Sequence, residues 1–92
     1  MKPITSYHLT EHAKEEMVRR QISQGEVANV LAAPEQFEVV REGRNVYQSH
    51  IKVGKPPKDY LLRIFVDVNR EPPEVVTVYR TSKIEKYWRV NK

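Results

Sequence analysis

His50, Arg63 and Tyr79 are the residues whose types suit chemistry and whose places in the pattern bring them together. Each lies in a segment of alternating apolar residues, the period of a β-strand with one covered and one open face. Leu62, Ile64 and Val66, with Val76 and Val78, are the cleanest apolar sets and are expected to face the core. Arg63 and Tyr79 then point the other way, joined by Gln48, His50 and Lys52 from the preceding strand. If consecutive strands pair in order, an imidazole, a guanidinium and a phenol share one open face, and Arg80 emerges at a strand end. Such a set suits metal-independent cleavage of RNA. A 2′-hydroxyl must lose a proton, the phosphorane needs positive charge, and the leaving oxygen needs a proton. Arginine suits the phosphate because its planar fork bonds two oxygens and stays charged. Arg63 and Arg80 are therefore expected to hold the scissile phosphate, with Tyr79 or His50 moving protons. Open sheet positions carry polar residues in any protein, and Arg63, inside the apolar run Leu61–Val66, fits that bland reading least well.

The elements that would position these side chains can be read from breakers and caps. Pro34, Gly43, the stretch 54–59 and the stretch 69–74 cut the 92 residues into short pieces. Ile4–Tyr7 is expected as a first strand. Thr10 caps a helix from Glu11 to Arg20, acidic early and basic late, as the helix dipole favours. Ser23-Gln24-Gly25-Glu26 is a capping box, with Ile22 and Val27 placed as a hydrophobic staple. Val27, Val30 and Leu31 form the buried face of that second helix, which Pro34 stops. Four alternating segments follow: one with Phe37 and Val39, then Val46–Val53, Leu61–Val68 and Val75–Thr81. They read as an antiparallel meander. Ser82-Lys83-Ile84-Glu85 is expected to box a short C-terminal helix, with Ile84, Tyr87 and Trp88 on its apolar side. The order strand, two helices, four-stranded antiparallel meander, short helix predicts a single α+β domain over residues 1–92, helices on one sheet face.

Charge adds a direction to this frame. Residues 1–79 hold 11 basic and 11 acidic residues, whereas residues 80–92 hold Arg80, Lys83, Lys86, Arg89 and Lys92 against Glu85 alone. A basic end of this kind attracts polyanions. Lys83, Lys86 and Arg89 are expected to track an RNA backbone, and Tyr87 or Trp88 to stack on bases where they do not pack. Arg20 shares a helical ridge with His12 and Glu16; its two expected uses are an ordinary ion pair with Glu16 and a phosphate anchor at the helix end. His8 and His12 have no clear third ligand, so no metal site is expected. The chain has no cysteine, which removes disulfides, thiolate catalysis and cysteine–zinc sites. No phosphate-binding glycine loop, serine triad or paired-carboxylate motif is present. Cofactors are not expected. Apolar runs of only a few residues and the absence of an apolar leader point to a cytoplasmic protein without a membrane partner.

The residues also carry a resemblance. His12-Ala13, Met17, Arg20, Ile22-Ser23, Glu26-Val27, Leu31 with Pro34, Leu61-Leu62-Arg63, and above all Val78-Tyr79-Arg80-Thr81-Ser82-Lys83-Ile84 followed by Lys86-Tyr87-Trp88, resemble a small prokaryotic family of domains of unknown function. More distantly, the element order resembles the toxin side of the RelE and BrnT group, small ribonucleases silenced by an antitoxin encoded beside them. The resemblance implies a compact α+β fold, messenger RNA as substrate and a cognate antitoxin protein as partner. By position it implies roles for Arg19 or Arg20, for Arg63, for Arg80 and for Tyr87.

The leading expectation is thus an endoribonuclease, the toxin component of a toxin–antitoxin module. Its rival is a non-catalytic module using the same basic surface for nucleic acid or an acidic protein. A homodimer formed through an exposed sheet edge is a third reading.

Overall fold

The computed structural model of the protein describes residues 3–90. Its elements run β1 (His8–Leu9), α1 (Glu11–Arg20), α2 (Gln24–Ala32), β2 (Gln36–Arg41), β3 (Arg44–Val53), β4 (Lys58–Asp67), β5 (Glu74–Thr81) and α3 (Ile84–Tyr87). The fold is α+β, built on a five-stranded sheet in the order β1-β5-β4-β3-β2. β2 to β5 form the expected antiparallel meander, and β1 adds a short parallel pairing to β5.

Both helix starts form by the expected chemistry. The Thr10 hydroxyl accepts from the Ala13 N–H and donates to the Val75 carbonyl oxygen, so one side chain caps α1 and ties it to β5. Ser23 and Glu26 make the reciprocal capping box of α2. α1 ends where Gln21 turns left-handed at φ 57°, its N–H bonded back to the last turn. Ala13 and Met17 of α1 and Val27, Val30 and Leu31 of α2 meet Tyr47, Leu62, Ile64, Val66, Val75 and Val78 from the sheet. This single apolar layer holds the helices against β3, β4 and β5. The helices stop short of β2, leaving Phe37, Val39 and Val40 of that edge strand exposed.

Three local expectations are corrected. The first strand is His8–Leu9 rather than Ile4–Tyr7, because the Ile4 N–H is taken by the Leu31 carbonyl at the end of α2. Val75, not Val76, faces the core. A bulge sets Val75 opposite Val66 and Thr77 opposite Phe65, so Val76 is the extra residue and the alternation changes phase. Ser82 does not cap α3. The Thr81 hydroxyl accepts the Lys83 N–H instead, and Lys83 occupies the cap position with no side-chain bond.

Candidate functional site

The meander register decides which side chains meet. Gln48, Arg63 and Tyr79 stand directly opposite one another on β3, β4 and β5, making one rung across the outer face, away from the helices. Gln36 extends the rung onto β2. Arg63 lies at its centre with only 7% of its surface exposed. Its Nε donates to Gln48 Oε1 at 3.0 Å and its Nη1 donates to the Tyr79 hydroxyl oxygen at 2.6 Å. The C-terminal segment covers it. α3 brings the Tyr87 ring to 4.2 Å from the guanidinium carbon, while Gln48 donates to the Tyr87 carbonyl and fixes that approach. Phe65 and Tyr79 flank the same guanidinium at 5.6 and 5.7 Å. Arg63 is therefore clasped by three aromatic rings and two neutral acceptors.

No carboxylate among the described residues forms an ion pair with Arg63, although burying an unpaired charge is costly. Every fully buried polar side-chain atom among the described residues has a hydrogen-bond partner. Nη2 of Arg63 makes no hydrogen bond to a described residue.

The two phenols beside it are pushed apart. Burial raises Tyr79 above the usual tyrosine value, against the opposing pull of Arg63. The polar neighbours Tyr79 and Lys86 hold Tyr87 below that value.

His50 shares the outer face but sits one rung along, opposite Leu61 rather than Arg63. Its Nδ1 lies 3.0 Å from Glu35 Oε1, and Trp88 packs on its ring at 4.4 Å. Glu35 also accepts the His50 backbone N–H, and that bond, with the imidazole's, lowers the Glu35 carboxyl. The expected imidazole–guanidinium–phenol grouping is thus a guanidinium–phenol pair with a neighbouring imidazole. Glu35, which orients that imidazole, carried no signal in the sequence, because its partner lies 15 residues away.

The expectation that Arg63 and Arg80 grip one phosphate is overturned. Arg80 stands opposite Leu62, a core residue, so its side chain lies on the helix side of the sheet and that of Arg63 on the other. Neighbouring residues of a strand cannot share a face. Arg80 instead joins Arg19, Arg20, Gln21 and Tyr60 around a pocket of about 300 Å³ at the end of α1. Arg20 and Arg19 share the Glu16 carboxylate, which they hold below its usual pKa. Of the basic C-terminal residues, Arg89 is paired with Glu38. Lys83 and Lys86 are exposed, with no acidic partner among the described residues; Lys86 lies 5.3 Å from the Tyr87 ring.

A small α+β domain with its helices on one sheet face and an arginine clasped on the other defines the class. A family model described as Domain of unknown function (DUF4258) matches residues 9–80, and the chain belongs to that family. No curated protein and no solved structure matches it. No helix among the described residues is long and apolar enough to cross a membrane.

Proposed function

We propose that this protein is an endoribonuclease whose reacting groups are Arg63, Tyr79 and Tyr87. The observation that carries the reading is the buried guanidinium of Arg63, which forms no ion pair with a carboxylate of the described residues and is bracketed by the rings of Tyr79 and Tyr87. A phosphodiester would supply the missing anion. Nη2 would take a non-bridging oxygen and stabilise the phosphorane. Tyr87, the more acidic phenol, takes the 2′-hydroxyl proton as its oxygen attacks phosphorus. Tyr79, kept protonated, gives its proton to the departing 5′-oxygen. The products are a 2′,3′-cyclic phosphate and a free 5′-hydroxyl. The 2′-hydroxyl makes RNA the substrate and excludes DNA.

The distant resemblance to the RelE and BrnT toxins supports the same chemistry and adds a cognate antitoxin as partner. Incubation of RNA with the protein in EDTA, with and without ribosomes, tests the reading. Cyclic-phosphate ends are expected, and replacing the 2′-hydroxyl at the cut site by hydrogen should abolish them. RNA left intact in both mixtures overturns it.

The covering of Arg63 by Tyr87 and the pairing of Arg89 with Glu38 favour one other reading, a module that binds RNA without cutting it. Binding that weakens steeply with salt while no product forms would select it.

A further inference from the structure

The pocket at the end of α1 has no part in the chemistry above, yet it concentrates charge. Three guanidinium groups, from Arg19, Arg20 and Arg80, border it, and Glu16 is the one carboxylate tied to any of them among the described residues. Arg80 makes only a long bond, 3.4 Å, to the Gln21 carbonyl. The floor is aromatic: the Tyr60 ring has Arg80 at 5.8 Å and Lys58 at 5.7 Å from its centroid. Cations beside a partly exposed ring make a setting in which a phosphate and its adjoining base are bound together.

The topology connects this pocket to the outer face. β1 pairs only with Glu74 and Val75, so among the described residues β5 has no strand neighbour on that side from Val76 to Thr81. Tyr79 and Arg80 are consecutive there and project to opposite faces. A flexible polyanion crossing this edge meets the Arg63–Tyr79 rung on one side and the arginine pocket on the other. A duplex is too stiff for so short a turn, whereas a single strand is not.

We infer that the Arg20–Arg80–Tyr60 pocket is a second nucleotide subsite for single-stranded RNA, holding a phosphate that flanks the one at Arg63 and stacking its base on Tyr60. This rests on the RNA reading above but is separable from it by experiment. The probe is a fluorescent decamer of 2′-O-methyl RNA, which cannot be cleaved, read by anisotropy at several salt concentrations. Arg80→Gln and Arg20→Gln are each expected to raise Kd about tenfold and to flatten the salt dependence by roughly 0.7 in log–log slope per lost contact. Tyr60→Leu should weaken the decamer but leave competition by inorganic phosphate unchanged. Kd within twofold of the parent for both arginine variants, with circular dichroism showing them folded, overturns the subsite. So does displacement of the decamer by polyglutamate as readily as by unlabelled decamer, which would mark the pocket as a protein-docking surface. Loss of decamer binding in Arg80→Gln while the parent cleaves no RNA would sink the nuclease and keep the subsite. Cleavage with Arg80-independent binding would do the reverse.

Discussion

Arg63 and Tyr79 are opposite partners on β4 and β5, joined by a 2.6 Å hydrogen bond from Nη1 to the phenol oxygen. The bond makes the Tyr79 hydroxyl part of the clasp as well as the proposed general acid, so Tyr79→Phe tests the two roles separately. The ring and its stacking on Phe65, at 6.1 Å, survive the change. Loss of one part-buried hydrogen bond is expected to cost about 1 kcal/mol of stability. Loss of a general acid is expected to slow cleavage by roughly 10²–10⁴-fold. Urea unfolding and single-turnover cleavage measure the two separately. A variant that unfolds at the parental midpoint and cuts RNA at the parental rate would remove Tyr79 from the mechanism.

Substitution of Arg63 itself discriminates structure from chemistry less cleanly, because its stem is packed and its nitrogens satisfy Gln48 and Tyr79. Arg63→Met keeps most of the stem but deprives two acceptors of a donor. A loss of about 1–3 kcal/mol is expected from the orphaned groups. Arg63→Lys should recover part of that stability, since an ammonium can reach one acceptor. It should not recover cleavage, since it lacks the two-pronged geometry. Denaturation curves alongside RNA cleavage by both variants test this.

The opposed phenols fix the sign of the pH response. Tyr87 acts as base only when deprotonated, so cleavage should rise with pH through its lowered pKa, below the ordinary tyrosine value of 10.0. Tyr79 acts as acid only when protonated, so cleavage should fall above its raised pKa, higher than 10.0. The two rings meet edge to face, 6.4 Å between centroids, so the limbs of the bell belong to the pair rather than to either ring. Tyr87→Phe should remove the rising limb. A rate profile of unchanged shape in that variant would assign the base elsewhere, with His50 the first residue to try.

Much of this was legible before the structure, and the exceptions have physical causes. Strand period placed Arg63 and Tyr79 together on the face away from the helices because the core set Leu62, Ile64 and Val66 of β4 falls on every second residue. Thr10 and Ser23 declared their helices because capping is local chemistry between residues three apart. The bulge at Val76 was invisible, since an extra residue leaves no mark in a run of valines. Arg80 was misplaced for a related reason. It was expected to emerge at a strand end and join Arg63 on one phosphate, whereas the pleat puts it opposite Leu62, on the helix side of the sheet. The cover over Arg63 was hidden too, because nothing local to α3 tells which part of the sheet Tyr87 crosses.

Acid should weaken the fold before it affects the phenols. Glu16, Glu35, Glu38, Asp59 and Asp67 all have lowered pKa values, each chiefly through a hydrogen bond from a basic side chain or, for Glu35, from the His50 backbone. A carboxylate with a depressed folded-state pKa contributes stability that is fully present above its unfolded pKa and lost as pH falls through the folded one. Stability is therefore expected to hold above the ordinary carboxylate range and to decline below it. The Arg44–Asp67 pair, with Nε to Oδ1 at 2.7 Å, closes the β3–β4 rung next to the β2–β3 turn. Asp67→Asn should cost about 0.5–1 kcal/mol at neutral pH and nothing measurable once the acid form dominates. Urea midpoints of parent and variant, followed downward in pH, should converge; a constant gap would mean that the carboxylate charge is not what the site uses.

Thr10 connects this stability to the placement of the arginine pocket. Its hydroxyl accepts from Ala13 N–H at 3.1 Å and donates to the Val75 carbonyl at 3.0 Å, fixing the start of α1 on β5. The far end of α1 meets β5 through the Gln21 carbonyl and Arg80. α1 is thus pinned along the strand at both ends, and the first pin is the stronger because it serves a cap and a tertiary bond. Thr10→Ala removes both and should cost about 2 kcal/mol, roughly twice the 1 kcal/mol expected for Ser23→Ala, where only the cap is lost. Thr10→Ser keeps the hydroxyl and should recover most of the difference. Equal losses for Thr10→Ala and Ser23→Ala in urea would show that the hydroxyl's bond to Val75 contributes nothing, leaving the start of α1 held on β5 by the Thr10 backbone N–H, which donates to the same carbonyl, and by the packing of Ala13 and Met17.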